Sequence, residues 1–300
     1  MSGAPSFIVI GAARSGTTAL YQYLRRHPDI FMSRIKEPNY FAFEGCPLDF
    51  KGPGAEFVNN STASWGEYCA LFADAPSGAT TGEASPLYLY APQAPACIKR
   101  RLPQVKLIAI LRNPIEQAYS HYLYARAQMI EPLASFEHAL AAQPERREQG
   151  WQPLFQYSEF PRYGEQIERY FEHFDREQMK IFLYEDYLDD PQRVLGEIFA
   201  FVGADRAFSP DIARHTNMGG NPKNAFIQWL VMRPNPISRV IAPLVPYEVR
   251  QRIRDMISRK NIDRDEMPSA AREHLRTTLR DDIVKLQGLI SRDLSHWLAA

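Results

Sequence analysis

Several features that would assign a sequence to a class at once are scarce or missing here. Only three of the 300 residues are cysteines, an odd and sparse set that cannot build a disulfide framework and contains no C-x-x-C zinc pattern. Neither charge is in excess, because 35 Lys and Arg balance 35 Asp and Glu. No apolar run approaches the ~20 residues of a membrane span, and the first residues lack the charged segment of a signal peptide. We therefore expect a cytoplasmic protein with no metal site, no membrane span and no nucleic-acid partner.

Short runs of aliphatic and β-branched residues have the pattern of buried parallel strands, and each is followed by a helix-like segment. The strands are Phe7–Ile10, Val105–Leu111 and Met179–Tyr184. The helices are Gly16–Arg26, Pro114 to about Gln128, and Pro191–Val202. The second and third helices each open with Asn or Asp followed by proline, a strong start signal. Strands that alternate with helices predict an α/β fold in which helices flank a central parallel sheet.

The remaining segments show weaker patterns. Apolar residues spaced three or four apart between Phe160 and Phe174 predict an amphipathic helix on the sheet. The C-terminal third, from Ala225 onward, is predicted to be mostly helical. Two segments, near 44–80 and 129–158, have poor periodicity, so we expect long loop insertions that help to build a substrate site. No repeat or linker divides the chain, which favours a single domain over residues 1–300.

A glycine-rich turn joins the first predicted strand to the first predicted helix. The stretch Gly11–Thr18 reads Gly-Ala-Ala-Arg-Ser-Gly-Thr-Thr. Such a turn aims free backbone N–H groups at an anion, and the helix dipole adds to the attraction. Thr17 and Thr18 add hydroxyl donors and Arg14 adds positive charge. The turn therefore predicts a phosphate-binding loop.

This loop departs from the loop of nucleoside triphosphatases, which is G-x-x-x-x-G-K-[ST]. Gly11 and Gly16 have the right separation, but Thr17 stands where the lysine belongs. The positive residue, Arg14, precedes the second glycine instead. The departure disfavours ATP or GTP with magnesium, although a P-loop kinase-like enzyme remains the alternative, as does an inactive nucleotide-binding protein.

The stretch Arg14-Ser-Gly-Thr-Thr18 resembles the 5′-phosphosulfate loop of sulfotransferases that use 3′-phosphoadenosine 5′-phosphosulfate (PAPS). Further stretches resemble the same family in order: Lys36–Phe41, Gly82–Tyr88, Leu107–Ser120, Asn217–Lys223 and Leu286–Trp297. The resemblance implies a P-loop-like sulfotransferase fold, PAPS as co-substrate and transfer of a sulfuryl group to an acceptor hydroxyl. It also implies the residues that bind the co-substrate: Arg14, Ser15, Gly16, Thr17, Thr18, Arg112, Ser120 and Lys223.

Within that set, the resemblance assigns Arg112 and Ser120 to the 3′-phosphate. Arg112 ends a predicted buried strand, and the carboxyl end of a strand is where an open α/β sheet places its ligand. Lys223 belongs to a late loop that carries a cation near the co-substrate in the family. Arg14 is expected to donate hydrogen bonds to the leaving phosphate as its charge grows.

The acceptor hydroxyl must lose a proton during transfer, which calls for a general base. Glu37 follows the short strand Ile30–Met32 and matches the glutamate of a family motif, so it is our candidate. His215 is the main rival base, because it immediately precedes the late loop. His27 and His121 are weaker alternatives.

The acceptor itself stays open among carbohydrate, lipid and natural-product hydroxyls, and so does the oligomeric state. Ala84 replaces a lysine found in the heparan branch of the family, which disfavours a heparan-like acceptor. Several aromatic residues are candidates for an acceptor pocket: Tyr40, Phe41, Tyr88, Tyr90, Trp151, Phe155 and Tyr157. We favour Trp151 and Phe155, because they lie in a segment of poor periodicity.

Overall fold

Five parallel strands form the centre of the fold. The computed structural model describes residues 3–212, 220–224, 228, 256, 261–263 and 265–299. The strands are β1 (Phe7–Gly11), β2 (Ile30–Met32), β3 (Thr80–Ala84), β4 (Lys106–Leu111) and β5 (Met179–Leu183). They lie in the order β2-β3-β1-β4-β5, and every neighbouring pair is parallel. The predicted α/β fold with a central parallel sheet is confirmed.

Helices account for most of the other described residues. The α-helices are α1 (Thr17–Arg26), α2 (Tyr40–Phe43), α3 (Glu56–Asn59), α4 (Trp65–Ala70), α5 (Leu87–Tyr90), α6 (Ala94–Arg101), α7 (Pro114–Ala127), α8 (Phe136–Ala141), α9 (Gln143–Glu148), α10 (Tyr163–Phe171), α11 (Tyr184–Asp189), α12 (Pro191–Val202) and α13 (Ser269–Ile290). Short 3-10 helices span Pro153–Phe155, Arg176–Gln178 and Ser295–Leu298. A small antiparallel pair joins β6 (Asn221–Pro222) to β7 (Ile262–Asp263).

Side-chain caps explain why two predicted helices begin where they do. The Asn113 side chain accepts hydrogen bonds from the backbone N–H groups of Ile115 and Glu116, at the start of α7. The Asp190 side chain accepts one from Arg193 N, at the start of α12. Gly203 then ends α12 in the left-handed conformation, with φ of 86°. Proline at the first turn of each helix completes the pattern.

Strand β3 was not predicted, because its sequence Thr-Thr-Gly-Glu-Ala lacks an apolar run. Gly82 is required there, since a Cβ at this position would lie 2.1 Å from the Phe7 ring on the neighbouring strand. Glu83 is fully buried in the same strand. Strand β3 therefore differs in composition from most buried strands: a glycine lets its backbone approach β1 closely, and it buries a carboxyl group.

The prediction that segments 44–80 and 129–158 are long loops was wrong in part. The first contains α3 and α4, and the second contains α8, α9 and a 3-10 helix. Each of these helices has six residues or fewer, too short for a 3.6-residue repeat to appear in the sequence. The stretch Leu286–Trp297, whose resemblance to the family implies a closing helix, is not one continuous helix: α13 ends at Ile290, and a 3-10 helix follows.

The sheet is buried on both faces, because alternate residues of β1 belong to different apolar clusters. Ile8 and Ile10 pack in a cluster that includes residues of α5 and α7. Phe7 and Val9 pack in a second cluster with residues of α1 and α12. From β3 the chain passes over β1 to reach β4. The carboxyl ends of β1 and β4 therefore adjoin at the point where open α/β sheets bind ligands.

Candidate active site

The turn after β1 holds the start of α1 at this edge of the sheet. Ala12 N donates a hydrogen bond to Ile110 O of β4 at 2.9 Å. Gly16 precedes α1 with φ of 83°, and a Cβ there would lie within 3.3 Å of the rings of Tyr184 and Tyr187. Among the described residues no side chain caps the first turn of α1, which leaves its N–H groups available to an anion. This geometry supports the predicted phosphate loop.

Two buried hydroxyl groups could donate hydrogen bonds to an anion at the turn. The Ser15 Oγ and the Tyr163 Oη are both buried, and neither has a hydrogen-bond partner of good geometry among the described residues, although the Ser15 hydroxyl is near enough to lower the pKa of Tyr163. A buried hydroxyl whose hydrogen bonding is incomplete is destabilising. Burial also raises the pKa of Tyr163, which keeps that hydroxyl protonated. An anionic group at the loop fits this environment, because it would give these donors an acceptor.

Arg14 leaves the loop with φ of 66° and reaches α7. Its Nε donates a hydrogen bond to Ser120 Oγ at 3.3 Å. Its guanidinium carbon lies 4.6 Å from the centroid of the Tyr124 ring, in cation–π contact. The structure thus brings together Arg14 and Ser120, which the sequence separates by 106 positions.

Arg112 lies directly beyond β4 and touches the same loop. Its Nη1 donates to the Arg14 carbonyl oxygen at 3.4 Å, and its guanidinium carbon lies 5.4 Å from the centroid of Tyr184. No carboxylate of the part of the chain that the structure describes forms an ion pair with Arg112. The two arginines therefore occupy neighbouring positions at the carboxyl ends of β1 and β4.

Glu37 approaches the same region from the end of β2. Its backbone N–H donates to Ala84 O at 3.0 Å, and its φ is 63°. Lys36 Nζ donates to its carboxylate, which remains about half exposed. Burial raises the pKa of Tyr124, the Glu37 charge raises it further, and the Arg14 charge lowers it. The charges of Glu37 and Arg14 therefore both act on Tyr124, and the Arg14 guanidinium lies over the Tyr124 ring.

No role was predicted for Glu83 from the sequence, yet it anchors the segment that carries Glu37. Tyr68 Oη donates to Glu83 Oε1 at 3.0 Å, and Ser85 Oγ donates to Glu83 Oε2 at 2.7 Å. Ser85 Oγ in turn accepts from Asn39 N at 3.2 Å. Burial raises the pKa of Glu83 to about 7. A charged residue within the motif Gly82–Tyr88 was the signal that could have found it.

Comparisons with known proteins decide the family. The family model described as "Sulfotransferase domain" matches residues 4–218. The chain belongs to the sulfotransferase family. Over 207 residues it is 31% identical to bifunctional heparan sulfate N-deacetylase/N-sulfotransferase 3 of Homo sapiens, covering 66% of this chain and 22% of that protein. It is 27% identical over 207 residues to heparan sulfate glucosamine 3-O-sulfotransferase 3B1 of Homo sapiens, covering 67% and 47%.

A solved sulfotransferase structure agrees over nearly the whole chain. The crystal structure of the sulfotransferase from Alicyclobacillus acidocaldarius matches with a TM-score of 0.76 and 31% identity, covering 98% of this chain and 99% of that one. The curated heparan sulfate N-deacetylase/N-sulfotransferases are longer, and this chain spans 22–24% of the first three. The predicted family, the P-loop-like fold and the assignment as an enzyme are confirmed.

The histidines of this sulfotransferase differ in their suitability as a base. Burial, with the Arg14 charge, lowers the pKa of His121 to about 3, so its ring is a poor base. His27 lies at the end of α1, where its Nε2 is 2.9 Å from Asp205 O and its ring packs on Phe199. These contacts give His27 a structural role. His215, the rival to Glu37, lies outside the described residues.

The three other predicted binding residues with side chains, Lys223, Thr17 and Thr18, differ in their position relative to the site. Lys223 Nζ forms an exposed ion pair with Asp263 Oδ1 at 2.9 Å, and no contact joins it to Arg14 or Arg112 among the described residues. Thr17 is buried on the first turn of α1 and Thr18 is half-buried beside it. The structure therefore groups Arg14, Ser15, Arg112 and Ser120 but leaves Lys223 at the surface.

Among the residues that the structure describes, no group of three His, Cys, Asp or Glu side chains is arranged to hold a metal ion. No helix within the described ranges combines the length and apolarity needed to cross a membrane.

Proposed function

We propose that this enzyme transfers the sulfuryl group of PAPS to an acceptor hydroxyl. The observation that carries the proposal is the pair of arginines, Arg14 and Arg112, at the adjoining carboxyl ends of β1 and β4 beside the uncapped start of α1. A nucleotide with a 5′ anion and a 3′-phosphate needs two such cationic groups. The buried Ser15 hydroxyl fits the same ligand.

Different residues would hold the two ends of the nucleotide. The N–H groups of Gly16, Thr17 and Thr18, with the Ser15 hydroxyl, would bind the 5′ anion. Arg112 and Ser120 would bind the 3′-phosphate, and Lys223 is the remaining candidate for contact with the nucleotide. Because Ser120 also accepts a hydrogen bond from Arg14, its hydroxyl connects the two ends of this site.

The chemistry consists of positioning and charge stabilisation. PAPS supplies the sulfuryl group, whose S–O bond to the 5′-phosphate breaks while a new S–O bond forms to the acceptor oxygen. Arg14 donates hydrogen bonds to the oxygens of the departing phosphate as they gain charge. The acceptor proton passes to the Glu37 carboxylate, with His215 as the rival base.

The acceptor is a small molecule or a glycan. Two of the relatives are named as sulfotransferases of heparan sulfate. This chain instead carries Ala84, a fully buried residue whose carbonyl oxygen accepts the Glu37 N–H. Because Ala84 replaces the lysine of the heparan branch, we propose an acceptor other than a long sulfated glycan.

A nucleotide and a transfer measurement together test the proposal. Adenosine 3′,5′-bisphosphate should raise the Tm of the chain more than ATP with magnesium does, and label from PAPS sulfur should appear in an acceptor. Preferred stabilisation by ATP with magnesium, and activity that EDTA abolishes and magnesium restores, would favour the kinase alternative. Nucleotide binding with no transfer to any of a panel of hydroxyl acceptors would favour the inactive binding protein.

A further inference from the structure

The phosphate loop is held from α7 by a side chain that no sequence motif indicated. Gln117 lies near the start of α7 and is fully buried. Its Nε2 donates a hydrogen bond to the Ala13 carbonyl oxygen at 3.2 Å, across 104 positions of the chain. Its Oε1 is also buried and has no hydrogen-bond partner among the described residues. A hydrocarbon side chain would fill this position without an unpaired acceptor, so the contribution of Gln117 lies in its N–H donor.

Gln117 shares one face of α7 with the two residues that contact the Arg14 side chain. Ser120 and Tyr124 follow it at the spacing that brings helical side chains to the same face. Ser120 Oγ accepts from Arg14 Nε at 3.3 Å, and the centroid of the Tyr124 ring lies 4.6 Å from the guanidinium carbon. This face of α7 therefore holds both the peptide group that precedes Arg14 and the Arg14 side chain.

The backbone of Arg14 adopts a conformation that needs such support. Its φ of 66° lies in the left-handed region, which is unfavourable for a residue with a Cβ and persists only where surrounding groups hold it. Gln117 holds the carbonyl oxygen of the peptide group before Arg14. Arg112 Nη1 donates to the carbonyl oxygen of the peptide group after it, at 3.4 Å. The two side chains therefore fix the left-handed turn from both sides.

The same hydrogen bond fixes the orientation of a peptide group in the loop. A carbonyl oxygen that faced a bound anion would repel it, whereas a backbone N–H would attract it. While Gln117 binds the Ala13 carbonyl oxygen, the peptide group between Ala13 and Arg14 cannot turn that oxygen toward an anion. Loss of the Gln117 donor would free this peptide group to rotate, and the Arg14 side chain would change direction with it.

We propose that Gln117 is a positioning residue: by holding the Ala13 carbonyl oxygen it fixes the left-handed turn at Arg14 and so directs the Arg14 guanidinium to the 5′ end of the co-substrate. The inference rests on the proposed function, in which Arg14 binds the departing 5′-phosphate. It means that Gln117 contributes to binding of the 5′ anion, and not to binding of the 3′-phosphate, without touching the nucleotide itself.

Gln117→Met tests this role, because methionine is unbranched and of similar length but has no N–H donor. Calorimetry should show the Kd for adenosine 5′-phosphate rising about tenfold, equivalent to about 1.4 kcal/mol, and the Kd for adenosine 3′,5′-bisphosphate rising by the same factor. The Kd for adenosine 3′-phosphate should stay within about twofold of wild type. Equal weakening of all three nucleotides, or weakening of none, would overturn the inference.

Gln152→Met is a matched control. Gln152 is also fully buried, its Nε2 donates to the Pro53 carbonyl oxygen at 2.7 Å, and its Oε1 has no partner among the described residues. It adjoins Trp151, a predicted pocket residue that lines a cavity of about 320 Å³, whereas the predicted Phe155 is fully buried and does not line it. Both substitutions should lower the Tm similarly, but Gln152→Met should leave the three nucleotide Kd values unchanged. If it weakens nucleotide binding as Gln117→Met does, the loss reflects general destabilisation and the inference is wrong.

A double-mutant cycle tests whether Gln117 acts through Arg14. Arg14→Ala alone should weaken binding of adenosine 3′,5′-bisphosphate. Gln117→Met in that background should weaken it further by less than about twofold, because the guanidinium that Gln117 positions is gone. The same tenfold loss in both backgrounds would contradict the inference. Gln117→Asn, whose amide is one CH₂ shorter, should reproduce the selective loss and replaces the methionine variant if that variant does not fold.

Failure of the inference and failure of the proposed function give different results. If wild type binds adenosine 3′,5′-bisphosphate and Gln117→Met binds it equally well, the proposed function stands and the inference is wrong. If wild type binds none of the three nucleotides, the proposed function fails and the inference fails with it.

Discussion

The Glu83 carboxyl group makes the stability of the fold depend on pH in a direction that can be calculated. Burial raises its pKa from an ordinary 4.5 to about 7 in the folded chain, so the folded state holds this proton more tightly than the unfolded state does. The contribution of Glu83 to stability is therefore fully present below pH 4.5 and is lost as the pH rises to about 7. The difference between the two pKa values corresponds to roughly 3 kcal/mol.

Glu83→Gln isolates this effect, since glutamine has nearly the same shape and cannot ionise. Urea unfolding of both proteins at about pH 4 and about pH 8 gives the free energy of unfolding in each condition. The variant-minus-wild-type difference should rise by roughly 3 kcal/mol from the lower to the higher pH. Taking the difference removes the titration of other groups, which the two proteins share.

Glu44→Gln is a matched control with the opposite sign. Burial acts to raise the Glu44 pKa, but hydrogen bonds from Arg101 and Tyr40 hold it below its ordinary value. Its variant-minus-wild-type difference should therefore fall between pH 4 and pH 8. A Glu83 difference that stays constant within ~1 kcal/mol, or falls as the Glu44 difference does, would refute the reasoning. Glu83 would then be ionised in the fold, stabilised by the Tyr68 and Ser85 hydroxyls.

Three further predictions concern the site and its support. Glu37→Gln should lower turnover by about 10²–10⁴-fold while the Kd for adenosine 3′,5′-bisphosphate, measured by calorimetry, stays near wild type; normal turnover, together with loss of turnover in His215→Ala, would make His215 the base. Arg112→Ala should erase the preference for adenosine 3′,5′-bisphosphate over adenosine 5′-phosphate in a thermal-shift assay, whereas a retained preference would contradict the two-site assignment. Arg146→Ala should lower the urea-derived free energy of unfolding by about 3–5 kcal/mol, because it leaves Glu131 buried without its cationic partner; a loss under 1 kcal/mol would contradict this reasoning.

The parts of the fold that were predicted from sequence have local causes. Strand β1, the turn and α1 follow one another, and their apolar run, glycines and helix pattern all act within about twenty residues. Helices α7 and α12 begin at capping residues next to proline, so their starts also depend on adjacent positions. Segments of this kind can be predicted from neighbouring residues alone, and the structure confirms them.

The parts that were missed depend on contacts between distant segments. Gly82 is needed because Phe7 crosses it from the neighbouring strand, which nothing near residue 82 indicates. Glu83 is buried because Tyr68 and Ser85 bring hydroxyl groups to it. The short helices within 44–80 and 129–158 are stabilised by tertiary packing more than by their own propensity, so their sequences resemble loops.

The hydrogen bond of Ser120 could not be predicted from the sequence motifs of the site. From sequence, Ser120 was paired with Arg112, but in the structure its hydroxyl accepts from Arg14. The Arg14 guanidinium reaches Ser120 through Nε while its face covers Tyr124, and a lysine ammonium has no planar group that could make both contacts. The Arg14 backbone carbonyl meanwhile accepts from Arg112. Arg14 therefore connects the loop after β1 with the end of β4 and with α7. These contacts explain why the cation of this loop is an arginine, whereas other phosphate loops carry a lysine.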